Sequence, residues 1–283
     1  MIYFLLFLLG LCFGSFVNAF VWRFRIRDQK TDIRNLNKKS NIKHQTSDFS
    51  ITKGRSMCPH CHHTLAWYDL LPVLSWVSLR GKCRYCKKPI SAQYPLVELL
   101  VAVLFVISYM CWPLQFNSSL LYIEFALWLL LIPLLIALCI YDLKWLELPT
   151  EMIYGTFAIS FIAVLIAEAA SKNTSVIEAG IIGSIGLGGL FWLLYQFSGG
   201  KWIGGGDVRL GFAMGLYLGW QKSLLGLSLA AYIGTGVIVV ALIFGKYHRR
   251  MKLPFGPLLI AGLIICTLWG PAMINWYLHL IGA

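Results

Sequence analysis

Two aspartates occupy places where an apolar chain seldom keeps a charge. Asp142 closes a long apolar run in Ile140-Tyr141-Asp142, and Asp207 follows Gly204-Gly205-Gly206 at the head of another. Ionisable residues within or at the ends of membrane spans are costly to keep and are functional candidates by default. A carboxylate pair can hydrolyse a peptide bond. One ionised Asp takes a proton from water, and the other, protonated, polarises the scissile carbonyl. Two like charges about 3 Å apart cannot both ionise, so such a pair shares a proton and titrates as a unit. The three glycines lack Cβ, so an extended substrate strand can lie close against the backbone there. A substrate helix must unwind before it is cut, and a pliable loop beside Asp207 suits that need. The plainer alternative makes Gly204–Gly206 a turn and Asp207 a helix N-cap. A second carboxylate on the same membrane face weighs against it.

The second set of reactive residues is thiol. Cys58-Pro-His-Cys61 and Cys83-Arg-Tyr-Cys86 are two C-x2-C pairs separated by 21 residues. Each pair can bring two thiolates to one metal ion at about 2.3 Å, and two pairs complete a tetrahedron of the kind zinc prefers. Four thiolates leave no open coordination position, so the implied zinc is structural. His60, His62 and His63 are competing ligands, expected to stay outside a complete thiolate set. A module of the size of 58–94 has too small a core to hold itself without such a staple. Cys12, Cys111, Cys139 and Cys266 are scattered in apolar runs and read as small apolar fillers.

The elements that must carry these groups are membrane helices. Of 283 residues, 58% are hydrophobic and 13% charged, far from the roughly 45–50% and 25% of a soluble domain. The pattern predicts an all-α polytopic membrane protein with about eight spans, near 2–22, 95–113, 120–141, 150–169, 177–197, 207–220, 224–244 and 255–277. The boundary between the sixth and seventh is the least marked. Glu124, Glu168 and Glu178 fall near span ends, where they are expected to reach water. The division is a first helix (1–22), a basic loop (23–94) ending in the cysteine module, and a seven-helix domain (95–283) carrying both aspartates.

The net charge of +12 is concentrated in the loop: residues 23–94 hold 15 of the 24 Lys and Arg and only four acids. A basic loop between spans is an anchor to anionic lipid, and no recognition motif accompanies it to suggest nucleic acid. Its first part, 25–57, is polar, basic and poor in large apolar residues, and reads as poorly ordered. With the N-terminus outside, the loops 23–94, 142–149, 198–206 and 245–254 together with Arg209 place 22 Lys and Arg in the cytoplasm, leaving Lys172 and Lys222 outside. The positive-inside rule then puts both aspartates at the cytoplasmic boundary and the thiols in a reducing compartment.

With those residues in place, the chain resembles the type IV prepilin peptidases, the GxGD class of intramembrane aspartyl proteases. Gly14-Ser15-Phe16-Val17-Asn18 resembles the family's first-span motif, and Tyr94-Pro95-Leu96-Val97-Glu98 the start of its second span. The paired cysteines, with Arg80-Gly81-Lys82 before the second pair, resemble its cytoplasmic zinc module. Asp142 with Pro149, the stretch Gly204 to Leu210, and Pro254-Phe255-Gly256-Pro257 complete the series. The resemblance implies that Asp142 and Asp207 cut the basic leader from prepilins and type II secretion pseudopilins after a glycine. It also implies that the new N-terminal amine is methylated with S-adenosylmethionine, with Gly14, Asn18 and Glu98 as candidate donor-site or scaffold residues. No Gly-rich dinucleotide-type fingerprint marks a donor site. The chain departs from the family pattern at Thr150, usually acidic, at Arg209, usually Lys, and at Asp69-Leu70-Leu71-Pro72, usually Asn-containing. Other readings are a GxGD protease of another branch, without methyl transfer, and a proton-coupled transporter using the two aspartates at a broken helix. The spans supply few polar groups at mid-membrane for the latter.

Overall fold

The computed structural model describes residues 1–40, 56–58, 60, 61, 63–171, 175–245 and 253–282, with side chains throughout except at 29–40 and 281. The segment 41–55, His62, Lys172 and most of the loop 245–254 lie outside the described residues. Long helices dominate: α1 (Ile2–Ser40), α3 (Gln93–Met110), α4 (Ser119–Trp145), α5 (Thr150–Ser171), α6 (Ser175–Ser198), α7 (Gly205–Ile243) and α8 (Gly256–Ile281), with a short α2 (Leu74–Ser78). Seven of them are long and apolar enough to cross a membrane. The first helix runs to Ser40, so residues 25–40 are helical and not the irregular stretch expected. Arg and Lys, frequent there, are good helix formers.

The expected sixth and seventh spans are both found in α7. At Gly219 the backbone turns to φ 73, ψ 171, a conformation open to glycine and foreign to a helix. The contacts on either side show that the chain reverses there. Going outward from Gly205, the first limb runs antiparallel to α6, with Gly211 at Gly188, Gly215 at Gly183 and Gly219 at Ala179. The second limb then runs antiparallel to α8, with Gly226 at Gly262 and Gly234 at Leu258. Gly226 also faces Leu218 across the bend. The seven membrane-length helices thus carry eight runs, the first limb of α7, residues 205–218, being the shortest.

The chain forms two compact units, 1–107 and 108–283. In the first, α1 and α3 pair antiparallel at close range. A Cβ on Gly10 would lie 2.5 Å from Ala102 Cα, and one on Gly14 2.5 Å from Glu98 Cα. Small residues four apart let backbones approach where lipid gives no hydrophobic drive. In the second unit, α6 meets the first limb of α7 through the same device. A Cβ on Gly215 would stand 2.2 Å from the Gly183 carbonyl oxygen. Gly215→Ala is accordingly expected to destabilise the unit by about 1–3 kcal/mol, as overpacking does. A lowered thermal unfolding midpoint in detergent checks this, and an unchanged one refutes the contact. Trp128, fully buried in α4, donates its indole N–H to Ser108 Oγ at 2.9 Å and stacks on Tyr217 at 5.7 Å. Glu168 caps the start of α6 by accepting the Ile177 N–H at 2.9 Å. Glu124 differs from expectation, because its Oε2 is buried without a hydrogen-bond partner among the described residues.

Candidate active site and metal centre

Asp142 sits in the last turns of α4, just before the helix stops at Leu146, whose left-handed conformation (φ 54) lets its N–H bond back to Asp142 O at 2.8 Å. The side chain is only 6% exposed, and Oδ2 accepts the backbone N–H of Gly256 at 3.0 Å. Gly256 is the first residue of α8, so the carboxylate lies where free N–H groups and the helix dipole favour an anion. A Cβ on Gly256 would be 2.7 Å from that oxygen. Gly256→Ala is therefore expected to displace the carboxylate and cut activity by at least an order of magnitude, the effect of a misplacement of about 1 Å being of order 10²-fold. Initial rates of leader cleavage test it, and wild-type rates would show that the close approach is irrelevant.

Asp207 lies in the first turn of α7, whose N-cap is Gly204. It is the third helical residue and not the N-cap, and its carboxylate reaches back to accept a hydrogen bond from the Gly204 backbone. That is half of a capping box. Its Oδ1 is buried with no hydrogen-bond partner among the described residues. The charge of Asp142 acts on Asp207, and Leu148 joins the two segments physically. A Cβ on Gly206 would meet Leu148 Cβ at 2.7 Å, and one on Gly256 would meet Leu148 Cδ2 at 3.4 Å. Gly206 thus serves packing against Leu148, whereas Gly204 is exposed at the head of the helix.

The two departures at Thr150 and Arg209 are partners: Arg209 Nη1 donates to Thr150 Oγ1, tying the first turn of α7 to the first turn of α5. Their co-departure, an acid and a Lys replaced together, was the available signal.

In the first unit, the Sγ atoms of Cys58, Cys61, Cys83 and Cys86 all lie within 4.8 Å of one another, and Cys58 and Cys86 are 3.8 Å apart. A tetrahedron of sulfurs at about 2.3 Å from a central ion has edges of about 3.8 Å, so the donor set fits. Each pair sits in a tight knuckle. Cys58 N–H bonds to His63 O at 3.0 Å, and Cys83 N–H to Lys88 O at 2.8 Å. Burial opposes the Cys58 thiolate, but backbone N–H groups of Cys61 and His60 and neighbouring thiols favour it, leaving its pKa lowered to about 7. The group thus holds a thiolate readily, the form a metal needs. The His63 ring lies against Tyr85 at 3.7 Å, and His60 is exposed. Asp69 clamps the short 3-10 turn Trp67–Leu70 onto the second knuckle, accepting from Arg84 Nε at 2.7 Å and Tyr85 Oη at 3.2 Å. Burial works against its charge, but the Arg84 hydrogen bond holds its carboxyl below the usual range.

Gly14, Asn18 and Glu98 are brought together, as an internal brace. Asn18 Nδ2 donates to Tyr94 O at 3.0 Å, and Glu98 Oε2 accepts the Val73 N–H at 2.7 Å. Asn18 Oδ1 is buried and has no hydrogen-bond partner among the described residues.

Residues 8–112 match the bacterial peptidase A24 N-terminal domain, and residues 129–240 match the type IV leader peptidase family. A prepilin leader peptidase/N-methyltransferase of Aeromonas hydrophila is 33% identical over 97% of this chain and 93% of its own. The chain belongs to the type IV leader peptidase family. Relatives of the same name from Aeromonas salmonicida and Legionella pneumophila are 31% and 29% identical, over 98% and 96% of this chain and 94% and 92% of theirs. No solved structure matches the chain. Within this peptidase family, both cysteine pairs fall in the N-terminal match and both aspartates in the second.

Proposed function

We propose that this protein cleaves the leader from prepilins and pseudopilins and then methylates the new N-terminal amine. The observation that carries the proteolytic half is the meeting of Asp142 and Asp207 at one end of the second unit, joined through Leu148. In this reading the Gly256 N–H fixes Asp142, while Asp207 keeps Oδ1 free for the attacking water or the scissile carbonyl. The pair shares one proton, one carboxylate acting as base and the other as acid. The substrate enters as an unwound strand beside Gly204. Full-length similarity to enzymes named for both activities supports the methyltransferase half.

The four thiolates hold zinc, which stiffens the module and takes no part in bond cleavage. S-adenosylmethionine supplies the methyl group, but Asn18 Nδ2 donates to Tyr94 O, Glu98 accepts the Val73 N–H, and Gly14 lies against the Glu98 backbone, so we assign it no residues. The orientation follows the positive-inside rule: N-terminus outside, both aspartates at the cytoplasmic face of the inner membrane, and the basic loop against anionic lipid. A prepilin's basic leader would lie on that same side, with its junction to the apolar helix at the depth of the aspartates. The intact mass of a prepilin co-expressed with the enzyme tests the whole proposal. The expected product lacks the leader and carries one methyl group. Cleavage without the methyl would leave only the protease, and an unprocessed prepilin in the presence of folded enzyme would overturn the reading.

A further inference from the structure

The cysteine module wears its apolar side chains on the outside. Trp67, Leu70, Leu71, Leu74 and Val77 are 76%, 41%, 41%, 68% and 59% exposed. They fall within eleven consecutive residues, on the turn Trp67–Leu70, at Leu71 just after it, and on α2. The inward side is already taken by Trp76, whose indole packs on Gly81 and donates to Ile90 O at 3.1 Å. Contiguous exposed apolar surface on a small module marks an interaction site.

What covers it follows from where it is tied. Val73 N–H donates to Glu98, which lies five residues beyond Gln93, the start of the membrane-length helix α3. At about 1.5 Å per residue, that is about 7–8 Å along the helix. The head of α2 is therefore held level with the second turn of a spanning helix, the depth of lipid headgroups and upper acyl chains. The turn itself is built to be held there. Val73 sits at φ 60, ψ −49, with the Leu74 N–H returning to Pro72 O. This is the rare form of the γ-turn, and in it a β-branched residue gives its N–H to the buried Glu98 carboxylate. The same module carries the exposed cations Arg80, Lys82, Lys87 and Lys88. Trp, Leu and Val beside Lys and Arg are the composition of a segment lying in a membrane interface.

We propose that the edge from Trp67 to Val77 inserts into the interfacial layer of the bilayer, docking the metal module on lipid with its cations at anionic headgroups. This inference rests on the spanning character of α3 and not on the peptidase reading.

The test uses full-length protein and its Trp67→Phe variant in vesicles of phosphatidylcholine and phosphatidylglycerol. The difference in their emission reports Trp67. Phospholipid brominated near the carbonyl end of the chain is expected to remove most of that emission, and aqueous iodide little of it. Strong iodide quenching, or no quenching by either agent, overturns the proposal, the second because another protein surface would then cover the edge. Should the variant misfold, benzoylphenylalanine at position 74 gives an independent readout. Photo-adducts with the mass of phospholipid are expected, and adducts with a prepilin or a second copy of the chain refute the lipid assignment.

Discussion

Asp142→Asn and Asp207→Asn are each expected to abolish leader cleavage, by roughly a thousandfold or more, given the typical worth of general acid–base groups. The protein should remain folded. Asparagine keeps the shape of the side chain, and its amide oxygen can still accept the Gly256 N–H at position 142 or the Gly204 N–H at position 207. What is lost is the ability to hold and release a proton. The two losses should not add: a pair that shares one proton is disabled once either member is neutral, so the double variant should be no slower than the worse single one. Asp142→Glu is expected to fail as well, because the extra methylene has no room beside Gly256, whose backbone N–H is already 3.0 Å from Oδ2 and where a Cβ would come within 2.7 Å of it. Intact mass of the prepilin product gives the readout, and the thermal midpoint gives the check on folding. Wild-type cleavage by either asparagine variant would remove that aspartate from the chemistry.

Much of this arrangement is written locally and could be read without coordinates. Chain-local signals gave the spans, the two C-x2-C pairs and the candidate aspartates, because hydrophobic length, ligand spacing and an isolated charge each depend on neighbours in sequence. What could not be read was which distant atoms meet. Gly256, 114 residues beyond Asp142, supplies its hydrogen bond, and nothing in Pro254-Phe255-Gly256-Pro257 names that partner. Gly206 reads in sequence as part of a substrate platform, and the structure adds a second use, Leu148 Cβ standing 2.7 Å from where its Cβ would be. Glu98 and Gly14 looked like possible donor-site residues. One holds the Val73 turn and the other admits α3 to within contact of α1. The reversal at Gly219 was the least marked span boundary for a related reason. It is made by one glycine conformation, with no polar loop to interrupt the hydropathy. The extension of α1 to Ser40 is the converse case, since low hydrophobicity does not exclude a regular helix.

Replacing Cys58 and Cys61 together with serine is expected to take bound zinc from about one ion per chain to almost none, and to unfold the module. Its regular structure is slight: a four-residue 3-10 turn, a five-residue helix and two isolated bridges, Met57 with Thr64 and Lys82 with Pro89. Structural zinc contributes about 10–16 kcal/mol in isolated zinc modules, far more than these elements offer, so the remaining Asp69–Arg84 contact cannot substitute for it. Protease sensitivity across residues 56–92 should rise sharply, and zinc measured on purified protein should fall in step. The catalytic pair, however, belongs to the other compact unit, together with Gly204, Leu148 and Gly256, which position it. Leader cleavage should therefore persist in part, whereas methylation, if it depends on the module, should be lost with the metal. The two activities separate in a single mass measurement: a shortened prepilin without its methyl group. Full loss of cleavage would show that the module positions substrate for the aspartates. Absence of zinc from carefully prepared wild-type protein would remove the metal from the argument altogether, leaving four thiols within 4.8 Å of one another without the ion that their spacing fits.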